Sequence, residues 1–482
     1  MASPGRTKLL KSFPQALHQG YGAFFVGAGI SRAAGYPTWS ELLKDIGEEL
    51  GVHSHDISDL AALAQWHITE RGNATGVRNV IKSEIGVDRP VPESLEVIAR
   101  LPARHIWTTN YDRLVERAFE TVRRPIDPVS APSDLTLKPK PGAAHLYKMH
   151  GSIDRLDDIV ISTEDYELYR SRRGAFLPLL QAHLTSMSML FVGLSLTDPN
   201  IRQVLSTIRE SFAETPGEHF AIVKPPARSD FKTDAEFEAR AAQHRLWAQD
   251  LRRYGLITVE VDEYSEIPEL LKQIERRVAS MRVWVSGSWP LEGSASGAAD
   301  LYRLSEGVGG LIGRIGRDLV SGSGVLVGSA AIAGFIDALR QEGGWDLDRR
   351  LIVRPFLQPL EGKDPDRTQW AALRVEMSRY AGVVIFLGGA KLQDGILVDA
   401  DGVFAEYEAA RAAGAFILPV GATGGAAKAI ADNIRGSDIP TTGVRASRPT
   451  DDELDRLGDP NNSSEILLAI IGDIINRLSK VD

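Results

Sequence analysis

The sequence contains no cysteine among its 482 residues. This absence excludes disulfide bonds, thiolate nucleophiles, iron–sulfur clusters and zinc sites built on cysteine. Long hydrophobic runs are missing too, because no segment approaches the roughly 20 apolar residues of a membrane-spanning helix. The first 20 residues also lack the apolar core of a signal peptide. We therefore expect a cytoplasmic protein without a membrane contact and without a bound metal.

An excess of positive charge is also lacking. The 55 Lys and Arg residues are outnumbered by 64 Asp and Glu residues, which gives a formal net charge of −9. This balance argues against a broad nucleic-acid-binding surface. The hydrophobic share of 43% and the charged share of 25% exclude wholesale disorder. At roughly 100–200 residues per domain, the composition predicts a globular protein of two to four domains that binds no nucleic acid.

Short apolar runs alternate with helical patterns along the chain. The first series of predicted strands covers residues 23–27, 105–109, 145–149, 189–193, 220–223 and 256–261. A second series begins near residue 282, with strands predicted at 283–287, 351–355, 383–387 and 416–420 and a helix over 298–319. Such alternation is typical of a parallel sheet with helices on both faces. The predicted fold is α/β, with two Rossmann-like domains at 1–280 and 281–482.

A glycine loop follows the first predicted strand, and it reads Gly27-Ala28-Gly29-Ile30-Ser31. Ligands of an open parallel sheet bind at the carboxyl ends of its strands. Glycines at that position let the backbone approach a phosphate, although a tight strand–helix turn would explain them equally well. A dehydrogenase would need an acidic residue about 20 positions further on, at the end of a second strand. Glu48 and Glu49 lie at that distance but in a helical pattern, which argues against hydride transfer.

Polar residues follow three further strands. The candidates at these ends are Thr109, Asn110, Asp112, His150, Gly193, Ser195 and Asp198. Asp112 and Asp198 would each serve as a helix cap, but capping leaves Asn110 unexplained. A histidine that follows a strand and precedes a glycine, as His150 does, is well placed for a ligand site. Four such strand ends in order are difficult to attribute to packing alone.

The four segments together resemble the sirtuin-type fold. The resemblance rests on GAGIS at 27–31, TTNYD at 108–112, KMHG at 148–151 and FVGLSLTDPN at 191–200, and it covers about residues 20–280. It implies that NAD is the substrate and that the glycine loop holds the diphosphate. Asn110 would then position the ribose or an attacking water, and His150 would act as the general base. The other strand-end candidates become the remaining NAD contacts.

The missing cysteines depart from the sirtuin pattern. Sirtuin deacylases carry a four-cysteine zinc ribbon that helps to form the acyl-lysine cleft, and about 40 residues separate His150 from Phe191 here. The nucleotide half of the site is thus present while the peptide half is remodelled, which leaves water as the acceptor. The predicted reaction cleaves the nicotinamide N-glycosidic bond to give ADP-ribose and nicotinamide. A NAD-dependent protein deacylase and a non-catalytic NAD- or ADP-ribose-binding scaffold are the alternatives.

Two glycine–serine loops mark the C-terminal half. One is residues 286–288, and the other is residues 321–324 with a further glycine at 328. Backbone amides and hydroxyls in such loops cradle phosphates, although two helix-entry turns would have the same sequence. Arg374 and Lys391 add positive charge near predicted element ends. Glu406 is predicted to open a helix, where it would complement the helix dipole or bind ribose hydroxyls.

This half resembles a SLOG domain, and the order sirtuin-type domain then SLOG domain resembles the effectors of the Thoeris anti-phage defence system. The resemblance implies that the second domain binds a cyclic ADP-ribose isomer made by a TIR-domain protein, that binding activates NAD depletion, and that the chain forms a homotetramer. Arg374 and Lys391 would meet the diphosphate and Glu406 a ribose, with Arg379 as a substitute for Arg374. The implied activator contacts are Gly287, Ser288, Gly322, Gly324, Gly328, Arg374, Lys391 and Glu406.

Overall fold

A computed structural model of the chain describes residues 3–57, 59–196, 198–211, 217–291, 297–344, 346–356, 366–442 and 446–478. The chain folds into two compact units, Met1–Glu275 and Arg276–Asp482. Each unit is built around its own parallel sheet, with a short antiparallel hairpin added in the second. The predicted α/β fold with two Rossmann-like domains is therefore confirmed. Within the described ranges, no helix is long and apolar enough to cross a membrane.

The first unit alternates strands and helices. Its strands are β1 (Gly22–Val26), β2 (His105–Thr108), β3 (Ile126–Val129), β4 (Ala144–Lys148), β5 (Ser188–Val192), β6 (His219–Val223) and β7 (Leu256–Glu260). Its helices are α1 (Pro4–Gln19), α2 (Ala28–Ala33), α3 (Trp39–Leu42), α4 (Lys44–Glu49), α5 (Leu60–Arg71), α6 (Thr75–Ile85), α7 (Glu93–Arg100), α8 (Leu114–Thr121), α9 (Thr163–Glu167), α10 (Tyr169–Arg172), α11 (Phe176–Ser186), α12 (Pro199–Ser211), α13 (Asp234–Leu251) and α14 (Ile267–Ser280), the last of which continues past the unit boundary.

The first sheet has a switch point at β1. Its strand order is β3-β4-β2-β1-β5-β6-β7, so the chain moves outwards from β1 in both directions. The parallel register sets Val26 level with Thr108 on one side and with Val192 on the other. Since ligands of such sheets bind at the switch point, outside the carboxyl ends of the strands, the loops after β1, β2 and β5 define the candidate site.

Apolar strands bury both faces of this sheet, which is typical of parallel sheets covered by helices. On one face, Phe25 stacks on Phe191 with ring centroids 5.4 Å apart, and Trp107 belongs to the same core. Apolar residues of α11 and α12 complete that core. On the opposite face, Phe24 meets Phe13 of α1 edge to face at 5.4 Å. The site loops are thus carried by rigid, doubly covered strands.

The second unit repeats this plan on a smaller scale. Its strands are β8 (Arg282–Ser286), β9 (Asp318–Ser321), β10 (Leu351–Val353), β11 (Val383–Phe386), β12 (Ala390–Gln393), β13 (Ile396–Asp399) and β14 (Phe416–Pro419). Its helices are α15 (Ala298–Arg314), α16 (Val327–Gln341), α17 (Leu347–Arg350), α18 (Arg367–Tyr380), α19 (Asp401–Ala412), α20 (Gly425–Ile434), α21 (Asp451–Gly458) and α22 (Ser464–Arg477). The parallel order β10-β9-β8-β11-β14 puts the switch point between β8 and β11.

The helix predicted over 298–319 is too long. The structure ends α15 at Arg314 and starts β9 at Asp318. Gly316 adopts a left-handed conformation with φ of +71°, which stops the helix, and its amide bonds back to the last helical turn. The apolar residues after the turn therefore belong to a strand.

Two further features carry weak sequence signals and were not predicted. β3 is a short edge strand that contains Pro128, which is tolerated because the edge position needs no second set of ladder amides. The hairpin β12–β13 turns at Asp394 and Gly395. Both residues have positive φ, which is typical of a tight two-residue turn. Short strands with few apolar residues are difficult to separate from loops by pattern alone.

Candidate functional site

The loops after β1 and β5 pack backbone against backbone at the switch point. Gly27 donates its amide to the Val192 carbonyl at 2.9 Å, and Gly29 donates to the Gly193 carbonyl at 2.8 Å. A Cβ atom on Gly27 would lie 2.4 Å from the Gly193 carbonyl oxygen, and one on Gly193 would lie 2.8 Å from the Ile30 nitrogen. The close approach of the two loops thus requires these glycines, and two of the loop amides are already used inside the protein.

A hydrogen-bonded chain links Ser31, Asp112 and Asn110. The Ser31 hydroxyl lies 2.6 Å from Asp112 Oδ2 and must donate, since a carboxylate accepts only. The same oxygen then accepts from Asn110 Nδ2 at 2.8 Å. Asn110 Oδ1 consequently faces away from Ser31, and this buried acceptor has no hydrogen-bond partner among the described residues. The other oxygen of Asp112 accepts from the Leu114 amide at 2.9 Å, but the helix cap predicted at Asp112 was wrong, because the capping position of α8 is Arg113, which makes no side-chain capping bond.

Asn110 and His150 lie on neighbouring loops. β2 and β4 pair in parallel with Thr108 opposite Lys148, and each candidate lies two residues beyond that pair. The Met149 amide continues the pairing by donating to the Thr108 carbonyl at 2.9 Å. The sheet thus brings together two residues separated by 40 positions in the sequence.

His150 is buried against Asp198. Its exposed fraction is 4%, and its Nε2 atom lies 3.2 Å from Asp198 Oδ2, close but without the geometry of a well-formed hydrogen bond. Asp198 Oδ1 accepts from the amides of Asn200 and Ile201 at 2.9 and 3.2 Å and so caps α12. Burial alone would raise the pKa of Asp198, but the facing His150 and these two amides hold the pKa below its usual value.

A buried ion pair connects the two strand ends that carry Asn110 and His150. Lys148, 1% exposed, donates from Nζ to the Asp112 carbonyl at 2.5 Å and to Glu116 Oε1 at 2.8 Å. It therefore ties the end of β4 to the loop and helix that follow β2. Sequence reasoning missed this role, although a lysine that ends a buried apolar strand is itself a signal, because buried lysines need partners.

The segment between β4 and β5 lacks the elements of a zinc ribbon. It holds α9, which begins with a capping box formed by Ser162 and Asp165, followed by α10 and α11. Tyr166 of α9 sets its ring edge-on to His150 at 5.5 Å and donates to Asp198 at 3.4 Å. No pattern in the sequence had singled out Tyr166. The described residues contain no group of three or more His, Asp or Glu side chains able to hold a metal.

The other predicted NAD contacts lie in the same loops. Ala28 and Gly29 are exposed at the start of α2, whereas Ile30 is buried beneath them. Thr109 is half-buried after β2, and Ser195 is exposed after β5. Their position at the carboxyl edge matches the prediction, and their contact with a ligand stays a prediction.

Glycine loops also meet at the switch point of the second sheet. A Cβ atom would come within 2.0 to 2.9 Å of a neighbouring atom at each of Gly287, Gly322, Gly324 and Gly328. At Gly287 that neighbour is the Leu387 carbonyl of the loop after β11, and at Gly324 it is the Gly287 carbonyl. The loops after β8, β9 and β11 are therefore in direct backbone contact.

Glu406 is buried at this switch point. Its carboxylate accepts a hydrogen bond from the Ser286 hydroxyl at 2.6 Å, at the end of β8. Burial raises the pKa of Glu406 to about 7, against the opposing effects of Ser286 and of the Arg374 charge. The expectation that Glu406 opens a helix was wrong, because α19 begins at Asp401 and Glu406 lies in its second turn. That turn faces the sheet, which explains the burial.

Arg374 projects from α18 and packs against two aromatic rings. Its guanidinium lies 5.1 Å from the Phe356 ring centroid and 5.8 Å from that of Trp370. Its Nε atom is buried without a hydrogen-bond partner among the described residues. Arg379, the substitute candidate on the same helix, is exposed instead. A stacked guanidinium with donors to spare is suited to an anionic group.

Ser288 and Lys391 are joined by one short segment. The Ser288 carbonyl accepts the amides of Gly389 and Ala390, both at 3.0 Å, and Lys391 is the next residue on β12. Lys391 forms an ion pair with Asp401 at the start of α19. The structure therefore brings the predicted activator residues to one edge of the second sheet.

Matches to two family models show the class of protein to which the chain belongs. Residues 104–248 match the model of the SIR2-like domain, and residues 266–478 match that of the Sir2- and TIR-associating SLOG family. The chain thus combines a SIR2-like domain with a SLOG domain, as its sequence motifs indicated.

Full-length relatives narrow the class to one family. NAD(+) hydrolase ThsA of Bacillus cereus (strain MSX-D12) is 34% identical, with 87% of each chain covered. NAD(+) hydrolase ThsA of Enterococcus faecium is 31% identical over 97% of this chain and 98% of that protein, and the Acinetobacter baumannii (strain 532279) protein of the same name is 29% identical over 95% of each. The chain belongs to the ThsA family of NAD(+) hydrolases.

Proposed function

We propose that this chain hydrolyses the N-glycosidic bond between nicotinamide and ribose in NAD. The reaction consumes NAD⁺ and water and yields ADP-ribose, nicotinamide and a proton. The observation that carries the proposal is the buried Asn110 Oδ1, whose direction is fixed by Ser31 and which has no partner among the described residues. A buried acceptor left unpaired at a switch point is suited to a water or a ribose hydroxyl.

Cleavage of this bond needs little acid catalysis from the protein. Departing nicotinamide is cationic while it is bonded to the ribose, and the bond breaks through an oxocarbenium-like state. Asn110 would accept a hydrogen bond from the water or ribose, and His150 would take up the proton. General-base help of this kind is typically worth about 10²–10⁴-fold. The buried surroundings of His150 would keep bulk water out.

We assign the hydrolase to residues 1–280 and NAD binding to the loops at the carboxyl edge of the first sheet. The glycine loop 27–31, Thr109, Gly193 and Ser195 would contact the nucleotide. Asp112 would act through Ser31, since its two oxygens are already engaged by Ser31 and the α8 amide.

We further propose that residues 281–482 form a sensor that switches the hydrolase on. A cyclic ADP-ribose isomer carries a diphosphate, which suits the Arg374 guanidinium and Lys391, and ribose hydroxyls, which suit the Glu406 carboxylate. A TIR-domain protein would supply this signal, and NAD depletion in a homotetramer would serve anti-phage defence. Moving from about 1% to 99% active needs roughly 5.5 kcal/mol of differential affinity, which several symmetric sites would supply more easily than one.

Product analysis tests the hydrolase. Purified protein is incubated with NAD, with and without cyclic ADP-ribose isomers, and nicotinamide and ADP-ribose are measured. We expect Asn110→Ala and His150→Ala each to lose about 10²-fold or more of the activity. Asn73→Ala, in an exposed loop of the same unit, is the matched control and should match wild type. Equal rates for wild type and Asn110→Ala under every activator would refute the assignment.

Two other readouts separate the alternatives. NAD-dependent loss of acetyl from a lysine peptide, abolished by His150→Ala, would identify a deacylase. Calorimetric binding of NAD with no product over hours, even with the sensor saturated, would identify a scaffold.

A pair of arginines on one helix tests the sensor. Arg374→Ala should abolish activation while the protein stays folded, because it removes the stacked guanidinium. Arg379→Ala, on the exposed side of α18, should respond like wild type. An unchanged activation midpoint in Arg374→Ala would show that the sensor pocket lies elsewhere.

A further inference from the structure

Asp198 and His150 form a close pair in the interior of the first unit. Asp198 Oδ2 lies 3.2 Å from His150 Nε2, and the two side chains are 11% and 5% exposed. Two ionisable groups that are buried lose much of their hydration. An interaction between them must offset that loss. The two side chains are therefore coupled to each other within the candidate site.

The start of α12 fixes the direction of the Asp198 carboxylate. Its Oδ1 atom accepts the amides of Asn200 and Ile201, as helix-capping aspartates do. This leaves Oδ2 directed at the imidazole, with a longer bond of 3.4 Å from the Tyr166 hydroxyl. One oxygen of the carboxylate is thus held by the helix amides, and the other faces His150.

We propose that Asp198 is a positioning residue for His150, holding the imidazole hydrogen on Nε2 so that Nδ1 is presented as the base. A carboxylate accepts only, and a neutral imidazole has one donor and one acceptor nitrogen. An Nε2 that faces a carboxylate carries the hydrogen, and the proton of the reaction is then taken up on Nδ1. The inference rests on the proposed function, and it replaces the direct NAD contact first assigned to Asp198.

Aromatic rings complete the support of the imidazole. Tyr166 and Tyr169 meet it edge-on, with ring centroids 5.5 and 6.3 Å away, and Tyr169 is anchored by donating to the Met149 carbonyl at 3.1 Å. Burial raises the pKa of both tyrosines above the usual value, so both stay uncharged at neutral pH. Among the described residues, Asp198 is the carboxylate that pairs with His150, and the buried Arg173 guanidinium lies next to Gly151 and Tyr169.

Asp198→Asn tests this role because it keeps the size and the capping oxygen while removing the charge. We expect kcat to fall by about 10²-fold or more and KM for NAD to change by less than about threefold. The acid limb of the pH–rate profile should move to lower pH, because the imidazolium loses the carboxylate that stabilises it. Asp198→Glu, which restores the charge at a longer reach, should recover part of kcat.

A matched control separates capping from positioning. Asp59 caps α5 by accepting the Ala62 amide at 3.0 Å, and the described residues show no histidine contact for it. Asp59→Asn should retain wild-type kcat and pH profile. If it lost activity like Asp198→Asn, or if Asp198→Asn raised KM with kcat unchanged, Asp198 would be a cap or a substrate contact and the proposal would fail.

The imidazole can also be observed without turnover. In protein labelled with ¹⁵N-histidine, the two ring nitrogens of His150 are assigned by difference from His150→Gln, and their shifts report which nitrogen carries the hydrogen. We expect an Nε2–H form in wild type and a change of form in Asp198→Asn. Identical His150 shifts in both would overturn the proposal. A shift change in a protein that does not cleave NAD would uphold the positioning and refute the proposed function.

Discussion

The Ser31 hydroxyl determines which way the Asn110 amide faces. Because Ser31 donates to Asp112 at 2.6 Å, it can only accept from Asn110, at 2.8 Å, and the Asn110 oxygen is therefore turned away from Ser31 and left buried without a partner among the described residues. Asn110 is thus oriented by a carboxylate that it does not touch.

We expect Ser31→Ala to lower kcat by about tenfold with little change in KM for NAD, because the amide loses the bond worth about 1 kcal/mol that orients it. Steady-state kinetics at saturating activator would measure this. Ser54→Ala removes another buried hydroxyl of the same unit, bonded to the Ser40 carbonyl at 2.9 Å, and should leave kcat unchanged. Wild-type kcat in Ser31→Ala would show that Asn110 is oriented in another way.

Glu406 should make the stability of the second unit depend on pH. Its pKa is raised to about 7 when folded, from an ordinary value of 4.5, so the folded state binds the proton more tightly than the unfolded state. The contribution of Glu406 to the free energy of unfolding should therefore be fully present below pH 4.5. It should decline as the pH rises to about 7, by about 3 kcal/mol in all. Glu406→Gln should reduce that decline in urea unfolding between pH 5 and 8.

The control for Glu406 lies on the same helix. Glu408 is exposed and paired with Arg411, so Glu408→Gln should keep the wild-type dependence on pH. A Glu406→Gln protein whose stability changes with pH as much as wild type would mean that the buried carboxyl is ionised throughout.

A group of histidines at the opposite end of the first sheet should make that unit sensitive to acid. His105 lies 4.4 Å from His183 between ring centroids, and Trp107 donates to His183 Nδ1 at 3.0 Å, which requires a neutral imidazole. Burial, followed by nearby positive charge, lowers the pKa of His105 and His183 to about 4. The unfolded state then binds more protons, so stability should fall as pH drops from 6.5 towards 4.

His183→Gln tests this dependence, since glutamine can accept from Trp107 but does not titrate. The difference in unfolding free energy between pH 7 and pH 5 should shrink in this variant. His53→Gln, at an exposed position, should leave that difference as in wild type. An undiminished difference in His183→Gln would place the acid sensitivity elsewhere.

Lys148 should be among the most costly side chains to remove from the first unit. Lys148→Met leaves Glu116, 13% exposed, without its cation, and breaking a buried pair in this way typically costs about 3–5 kcal/mol. The double variant Lys148→Met with Glu116→Leu should recover most of the loss in urea unfolding.

Lys224 and Glu263 provide the comparison, since they are joined at the same 2.8 Å but Glu263 is largely exposed. Lys224→Met should cause no measurable loss of stability. Equal losses in Lys148→Met and Lys224→Met would show that burial does not distinguish the two pairs.

Much of the fold and of the site edge could be predicted from local sequence. Apolar runs followed by glycine or polar residues identified β1, β2, β4 and β5, and the capping boxes at Thr38 and Ser162 are likewise formed by residues three positions apart. These signals are local, since a strand or a cap is decided by residues close in the sequence. The common edge of the strand ends then follows from parallel pairing.

The contacts inside the site could not be predicted in the same way. Ser31 meets Asp112 across 81 residues, and Glu406 meets Ser286 across 120. Such pairs depend on the strand order and on which face a helix turns to the sheet, which hydrophobic periodicity alone does not specify. Tyr166 is a further case, because its partners come from two other segments of the chain.

The contact between Gly27, Gly29 and Gly193 also limits how the gene can vary. Every single-nucleotide missense change in a glycine codon encodes a residue with a Cβ atom, and at these positions that atom would meet the opposite backbone at 2.4 to 3.0 Å. Substitutions on one loop would need a simultaneous shift of the other. Natural amino-acid variation among functional copies should therefore accumulate around these three positions and leave the glycines themselves unchanged.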